Sequence, residues 1–189
     1  VMKPNTSEVL AMASRPNFDL VNYQEYDQSV FNRNLPIWMS FEPGSTFKIV
    51  TYAAGLEEGV FKTNDRFFDQ GYAIVDGARI RDWKAGGHGE QTYLEVIQNS
   101  CNPGFISIGL KLGKDKLFEY IRNFGFGKKT GIDLLGEASG IVFNEDKIGN
   151  VEVATSAFGQ GNSVTPIQLV NAANAAVNGG NLNKPYILK

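Results

Sequence analysis

Three apolar segments at helical spacing, each closed by glycine, set the frame for any fold of this chain. The first runs from Ser45 to Glu58 with Phe47, Val50 and Ala54 alongside Ile49, Tyr52, Ala53 and Leu56, and stops at Gly59. The second carries Leu117, Tyr120, Ile121 and Phe124 up to Gly125. The third opens on Thr165-Pro166, an N-cap and first-turn pair, and runs through Leu169, Val170, Ala173 and Val177 to Gly179-Gly180. Two more helices are expected between them: a short one over Thr92–Gln98, and one started by Pro103 with Phe105, Ile108 and Leu112 at helical spacing. With a single Cys in 189 residues, no internal disulfide can hold these pieces together. A buried apolar core must do it, and a chain of this length can build one.

The remaining stretches read as strands and connections. Val1-Met2 and Glu8-Val9-Leu10-Ala11-Met12-Ala13 flank a polar turn and predict a hairpin at a sheet edge. Residues 14–43 are rich in Asn, Asp, Pro and Tyr and read as a long surface connection. Residues 60–90 mix Gly and Asp with short apolar patches such as Tyr72-Ala73-Ile74-Val75, and predict small strands and loops. A Gly-rich connection is expected to lead to Thr165. The opening on Val1 and the apolar run just beginning at Tyr186-Ile187-Leu188-Lys189 read as the edges of a longer chain.

Charge and composition exclude several functions. Eighteen basic against 20 acidic residues leave a net charge of −2, which argues against nucleic-acid binding through bulk charge. Apolar residues at 42% and charged ones at 20% are globular usage, not that of a disordered chain. No apolar run approaches the ~18–20 residues of a membrane span, and no signal peptide opens the chain. The one His excludes any mechanism needing two.

Two short motifs carry chemistry. In Ser45-Thr46-Phe47-Lys48 the serine and lysine stand at i and i+3, on one face of a helix start. A serine hydroxyl needs a neighbouring base to become a nucleophile, and a lysine whose pKa is lowered by burial can be that base. The same spacing also fits a helix cap followed by a solvated lysine. In Ser100-Cys101-Asn102, between two predicted helices, the hydroxyl can relay a proton and the amide can hold a carbonyl or position the lysine. Helix capping is the alternative use of Ser and Asn there.

Glu42-Pro43-Gly44-Ser45-Thr46-Phe47-Lys48 resembles the nucleophile segment of the penicillin-binding proteins. Asn99-Ser100-Cys101-Asn102-Pro103-Gly104-Phe105 resembles their second motif. Phe158-Gly159-Gln160-Gly161-Asn162-Ser163-Val164-Thr165-Pro166-Ile167-Gln168 is similar to a segment of the class B, monofunctional transpeptidases, and Leu10-Ala11-Met12-Ala13-Ser14 resembles their first strands. Trp83-Lys84-Ala85-Gly86-Gly87-His88-Gly89, with the Cys in the second motif, resembles the sporulation-type branch of Gram-positive bacteria and its vegetative relatives.

The resemblance implies an α/β fold of the α+β type, with a helical cluster against an antiparallel sheet. It implies a D,D-transpeptidase in which Ser45 attacks the D-Ala-D-Ala bond of a peptidoglycan stem peptide, assisted by Lys48, Ser100 and Asn102, and in which β-lactams acylate the same serine. The expected setting is the extracytoplasmic face of the cell membrane. There a membrane-anchored parent protein would work with glycosyltransferases of division or sporulation. A β-lactam-hydrolysing or sensing relative and a non-catalytic scaffold module are the alternatives.

The family's third motif, Lys-Thr-Gly or Lys-Ser-Gly on a strand, is not assigned to Lys129-Thr130-Gly131, whose surroundings resemble a different family segment. It is expected beyond Lys189, making residues 1–189 a partial domain without its C-terminal strands. Finally, relatives of the sporulation branch can carry Cys at positions resembling Asp69 and Asp82. With His88 and Cys101 these make a set of four suited to one closed, structural zinc site. A buried free thiol, a surface His and two loop carboxylates are the alternative.

Overall fold

The computed structural model describes residues 1–188; Lys189, the last residue of the closing apolar run, lies outside the described residues. The chain forms two compact units.

The first unit comprises Val1–Phe41, Phe124–Ile141 and residues 163–188. The expected hairpin is reduced to a single antiparallel bridge, Met2 to Val9, and Glu8 bridges Tyr186 in parallel instead. Residues 14–43 are less featureless than their composition suggests. They hold a 3₁₀ turn, Tyr23–Glu25, and two one-turn helices, α1 (Gln28–Phe31) and α2 (Leu35–Trp38). Ile37 of α2 is buried with Met2, Ile132 and Ile167 in a small core. The α7 helix (Pro166–Val177) begins as the sequence predicts. Thr165 caps it, and Gln168 returns the bond to the Thr165 N–H at 2.8 Å. The Gln168 amide also donates to the Lys128 and Ser139 carbonyls, at 2.8 Å each. Lys129-Thr130-Gly131 lies outside any strand, and the Thr130 and Gly131 N–H groups donate to the buried Glu137 carboxylate at 2.7 and 3.0 Å.

The second unit, Glu42–Asn123 and Val142–Asn162, contains every candidate site residue. A 3₁₀ turn over Gly44–Phe47 feeds α3 (Lys48–Glu57). Four short strands follow: β1 (Arg66–Asp69), β2 (Tyr72–Val75), β3 (Ala78–Arg81) and β4 (Gly89–Thr92). They pair antiparallel as β1–β4 and β2–β3, so the helices are accompanied by two two-stranded sheets. Thr92 caps α4 (Tyr93–Gln98) in a reciprocal box with Glu95. The helical stretch α5 (Asn102–Asn123) is broken at Gly113, whose φ of 74° and extended ψ no helix accommodates. The two apolar patterns read from the sequence, one from Pro103 and one around Leu117, are its two halves.

Helix α5 is the core of this unit. Phe105, Ile106, Ile108, Leu117, Phe118 and Ile121 are all but inaccessible, and α3 and α6 pack against it. The sequence reading missed α6 (Asn150–Ser156), placing a Gly-rich connection there. Seven residues with two valines give no readable helical period. The helix exists because Val153 and Ala154 are buried and because Glu152 accepts the Gly149 N–H at 2.9 Å. Among the described residues no helix is long and apolar enough to cross a membrane.

Candidate active site

Ser45 sits in the 3₁₀ turn at the mouth of α3, and its side chain is exposed. The turn is fastened from three sides. Thr46 Oγ1 donates to the Pro43 carbonyl at 2.6 Å, the Gly44 N–H donates to the Gly159 carbonyl at 3.0 Å, and Glu42 accepts the Gly161 N–H at 2.9 Å. Gly159 has φ 89°, and a Cβ there would collide with the Gly44 carbonyl oxygen and, at 2.8 Å, with Phe47 Cβ. The sequence around Gly159 is therefore part of the support of the Ser45 turn. Gly159→Ala is expected to lose ~1–3 kcal/mol to overpacking and a further ~1–2 kcal/mol to the left-handed backbone. Thermal melts and the rate of acylation at Ser45 should both fall. A variant as stable and as reactive as the parent would detach Gly159 from the site.

Lys48 follows three residues later, at the first position of α3, and is 3% exposed. Its Nζ donates to the Ser100 carbonyl at 2.7 Å, to Ser100 Oγ at 2.9 Å and to Asn102 Oδ1 at 2.7 Å. It also lies 5.2 Å from the Phe105 ring centroid. The structure thus brings Lys48, Ser100 and Asn102 into one network. All three Nζ bonds go to the second motif, and the Ser45 hydroxyl stands outside that network. Burial pushes the Lys48 amine down to about 8, against the opposing pull of the Asp82 carboxylate. A buried amine with that pKa holds a proton at neutral pH and can release it slightly above.

The loop that grips Lys48 is itself strained and pinned. Among the described residues Ser100 is one of three non-glycine residues with positive φ, at 52°. On either side, Trp83 Nε1 donates to the Asn99 carbonyl at 3.0 Å, and Asp82 Oδ1 accepts the Asn102 N–H at 2.9 Å.

Behind that loop Asp69, Asp82, His88 and Cys101 converge, their ligand atoms within 4.8 Å of one another. Strand β1 delivers Asp69, the β3–β4 connection delivers Asp82 and His88, and the entry to α5 delivers Cys101. His88 Nδ1 lies 2.8 Å from Asp82 Oδ2 and 3.1 Å from Asp69 Oδ2. One ring nitrogen thus faces oxygens of two buried carboxylates. Burial pushes the Cys101 thiol up to about 12, helped by the charges of Asp69 and Asp82. Burial also pushes Asp69 up, but N–H groups of Gly71 and His88 outweigh it and hold its carboxyl below the ordinary range. Crowded oxygens, one imidazole nitrogen and a buried sulfur form a donor set of the kind that can hold a small divalent cation. Two further participants were missed by the sequence reading, the second role of Asp82 as anchor of Asn102 and the buried amide of Gln91. Neither has a spacing signal, since both depend on the strand pairing.

A family model described as the penicillin binding protein transpeptidase domain matches residues 1–189. The chain belongs to the penicillin-binding protein transpeptidase family. It is 64% identical over 189 residues to stage V sporulation protein D of Bacillus subtilis, covering 100% of this chain and 29% of that protein. It is 31% identical over 210 residues to the peptidoglycan D,D-transpeptidase MrdA of Acinetobacter baumannii, covering 98% of this chain and 31% of the relative. This penicillin-binding protein chain therefore spans less than a third of the length of these two relatives. Among solved structures, penicillin binding protein 3 of Mycobacterium tuberculosis, complexed with aztreonam, superposes with a TM-score of 0.91 at 30% identity, covering 100% of this chain and 42% of that one. PBP2 of Pseudomonas aeruginosa gives 0.90 at 30% identity, over 100% and 48%. The α+β transpeptidase fold expected from the motifs is the fold of these neighbours.

Proposed function

We propose that the protein is a peptidoglycan D,D-transpeptidase that works through an acyl-serine. The observation that carries this reading is the buried Lys48 amine, three residues after Ser45 and bonded to both Ser100 Oγ and Asn102 Oδ1. The reaction follows from those groups. Ser45 Oγ attacks the carbonyl carbon of the penultimate D-Ala, and its proton passes to the neutral amine of Lys48. The tetrahedral adduct collapses as the C–N bond breaks, and the leaving D-Ala amine takes a proton relayed through Ser100 from the Lys48 ammonium. An amine of a neighbouring stem peptide then attacks the ester. It forms the new amide as the ester C–O bond to Ser45 breaks, and the proton it sheds returns to Ser45 Oγ. Asn102 holds Lys48 in place and offers its amide to the substrate. A β-lactam enters the same first step, with its ring C–N bond breaking in place of the peptide bond.

The relatives' names support a place in cell-wall synthesis, and the 64% identity supports the sporulation branch. The parent protein would be membrane-anchored, act on the extracytoplasmic face and work beside a glycosyltransferase. Labelling of the full-length protein with a fluorescent penicillin tests the reading. A stable adduct is expected; rapid turnover would indicate a hydrolase, and no labelling would leave only the scaffold role.

Zinc belongs to the same proposal, held by Asp69, Asp82, His88 and Cys101 as a closed structural site. Its chemistry there is to replace protons among the buried donors, and so to tie the 69–88 region to the loop bearing Ser100 and Asn102. Zinc near one equivalent per chain is expected by elemental analysis of protein prepared without chelator. Chelation should lower the melting temperature and slow acylation. Zinc-free protein with a freely titratable Cys101 thiol would return the four residues to ordinary structural roles.

A further inference from the structure

The amide of Gln91 is buried, half-paired and adjacent to the metal-site thiol. Gln91 lies within β4 and is 2% exposed. The register pairs Phe67 with Gln91 and Asp69 with Gly89, so Asp69 and Gln91 face the same side of the β1–β4 ribbon. Its Oε1 accepts the Asn99 side-chain N–H at 3.0 Å. Its Nε2 has no conventional hydrogen-bond partner among the described residues. A polar group it approaches is the sulfur of Cys101, itself fully buried. A thiol is a poor acceptor, whereas a thiolate is a charged one. The donor is thus in place for a sulfur that has lost its proton.

We propose that Gln91 is a positioning residue of the metal centre: Nε2 donates to the metal-bound Cys101 thiolate while Oε1 holds Asn99. This rests on the zinc reading above and extends it by one residue and one direction of coupling. A single rigid amide then joins the sulfur to the start of the Asn99–Asn102 loop. Loading the site completes the second hydrogen bond of that amide and fixes both ends of the strained turn at Ser100. The carbonyl and hydroxyl of Ser100 are two of the three acceptors for Lys48. The metal centre would reach the Lys48 network through Gln91 and Asn99 as well as through Asp82 and the Asn102 N–H.

The test uses this chain loaded with zinc, and separately with cobalt. Gln91→Met keeps the volume and removes the donor. Zinc affinity, measured in competition with a chromophoric chelator, is expected to fall ~10–100-fold, the usual effect of losing an outer-shell partner. The thiolate-to-cobalt charge-transfer band should move to lower energy, which a change in folding stability alone would not do. Asn99→Ala removes only the other end of the amide and should leave the band in place. A measurement on the unmutated chain covers the case in which Gln91→Met fails to fold. With a spin-active cadmium isotope in the site, one Gln91 side-chain amide proton should move downfield and show scalar coupling to the metal. A wild-type chain that takes up no metal sinks the zinc reading, and this inference with it. A loaded chain with neither coupling nor any change in Gln91→Met affinity or band overturns the role of Gln91 alone.

Discussion

Ser45→Ala is expected to abolish covalent labelling by a β-lactam in the full-length protein. The reason is chemical. Among the candidate groups only the Ser45 hydroxyl is both exposed and carried on a turn leading into a helix N-terminus, where developing negative charge is favoured. Ser100 Oγ is engaged by Lys48, and the sulfur of Cys101 is buried. The fold should be almost indifferent to the change. The turn is held by Thr46, Gly159 and Glu42, not by the Ser45 side chain, and surface truncations of this kind fall within ~0.5 kcal/mol. Gel fluorescence and intact mass after incubation with a fluorescent penicillin give the readout. Labelling at the parental rate would remove Ser45 from the role of nucleophile.

Lys48→Ala should slow acylation by ~10²–10⁴-fold, the range for loss of a general base. It also leaves Ser100 O, Ser100 Oγ and Asn102 Oδ1, all only partly buried, without their common donor, which water can replace in part. A pH profile separates the two effects. The amine titrates near 8, so the acylation rate of the parent should climb as pH rises through about 8 and then flatten. The variant should lack that rise. The folded chain holds this proton less tightly than the unfolded one, so the unfolded state binds more protons between about 8 and the ordinary lysine value of 10.5. The contribution of Lys48 to stability therefore increases with pH across that window. A parental profile that is flat through it would refute the assignment of Lys48 as base.

Neighbour-to-neighbour chemistry was legible in the sequence because it depends on spacing along one element. The helix starts at Thr92 and at Thr165-Pro166 were read from neighbouring residues, and in the structure both threonines cap their helices. Ser45 and Lys48 stand at i and i+3 across the entry to α3 in the same way. The order of the motifs along the chain was enough to point to the family. Tertiary structure alone decided where the Lys48 amine goes. Its partners lie 52 and 54 residues away in sequence, and no local period encodes a contact of that kind. The same holds for α6, which is too short to nucleate alone and exists because it packs on α5. It holds too for Gln91, whose burial follows from the pairing of β4 with β1. Side chains become chemistry here when burial strips water from them, as it makes Lys48 lose its proton more readily. Desolvation is a property of the packed whole, which a reading of residues in order cannot supply.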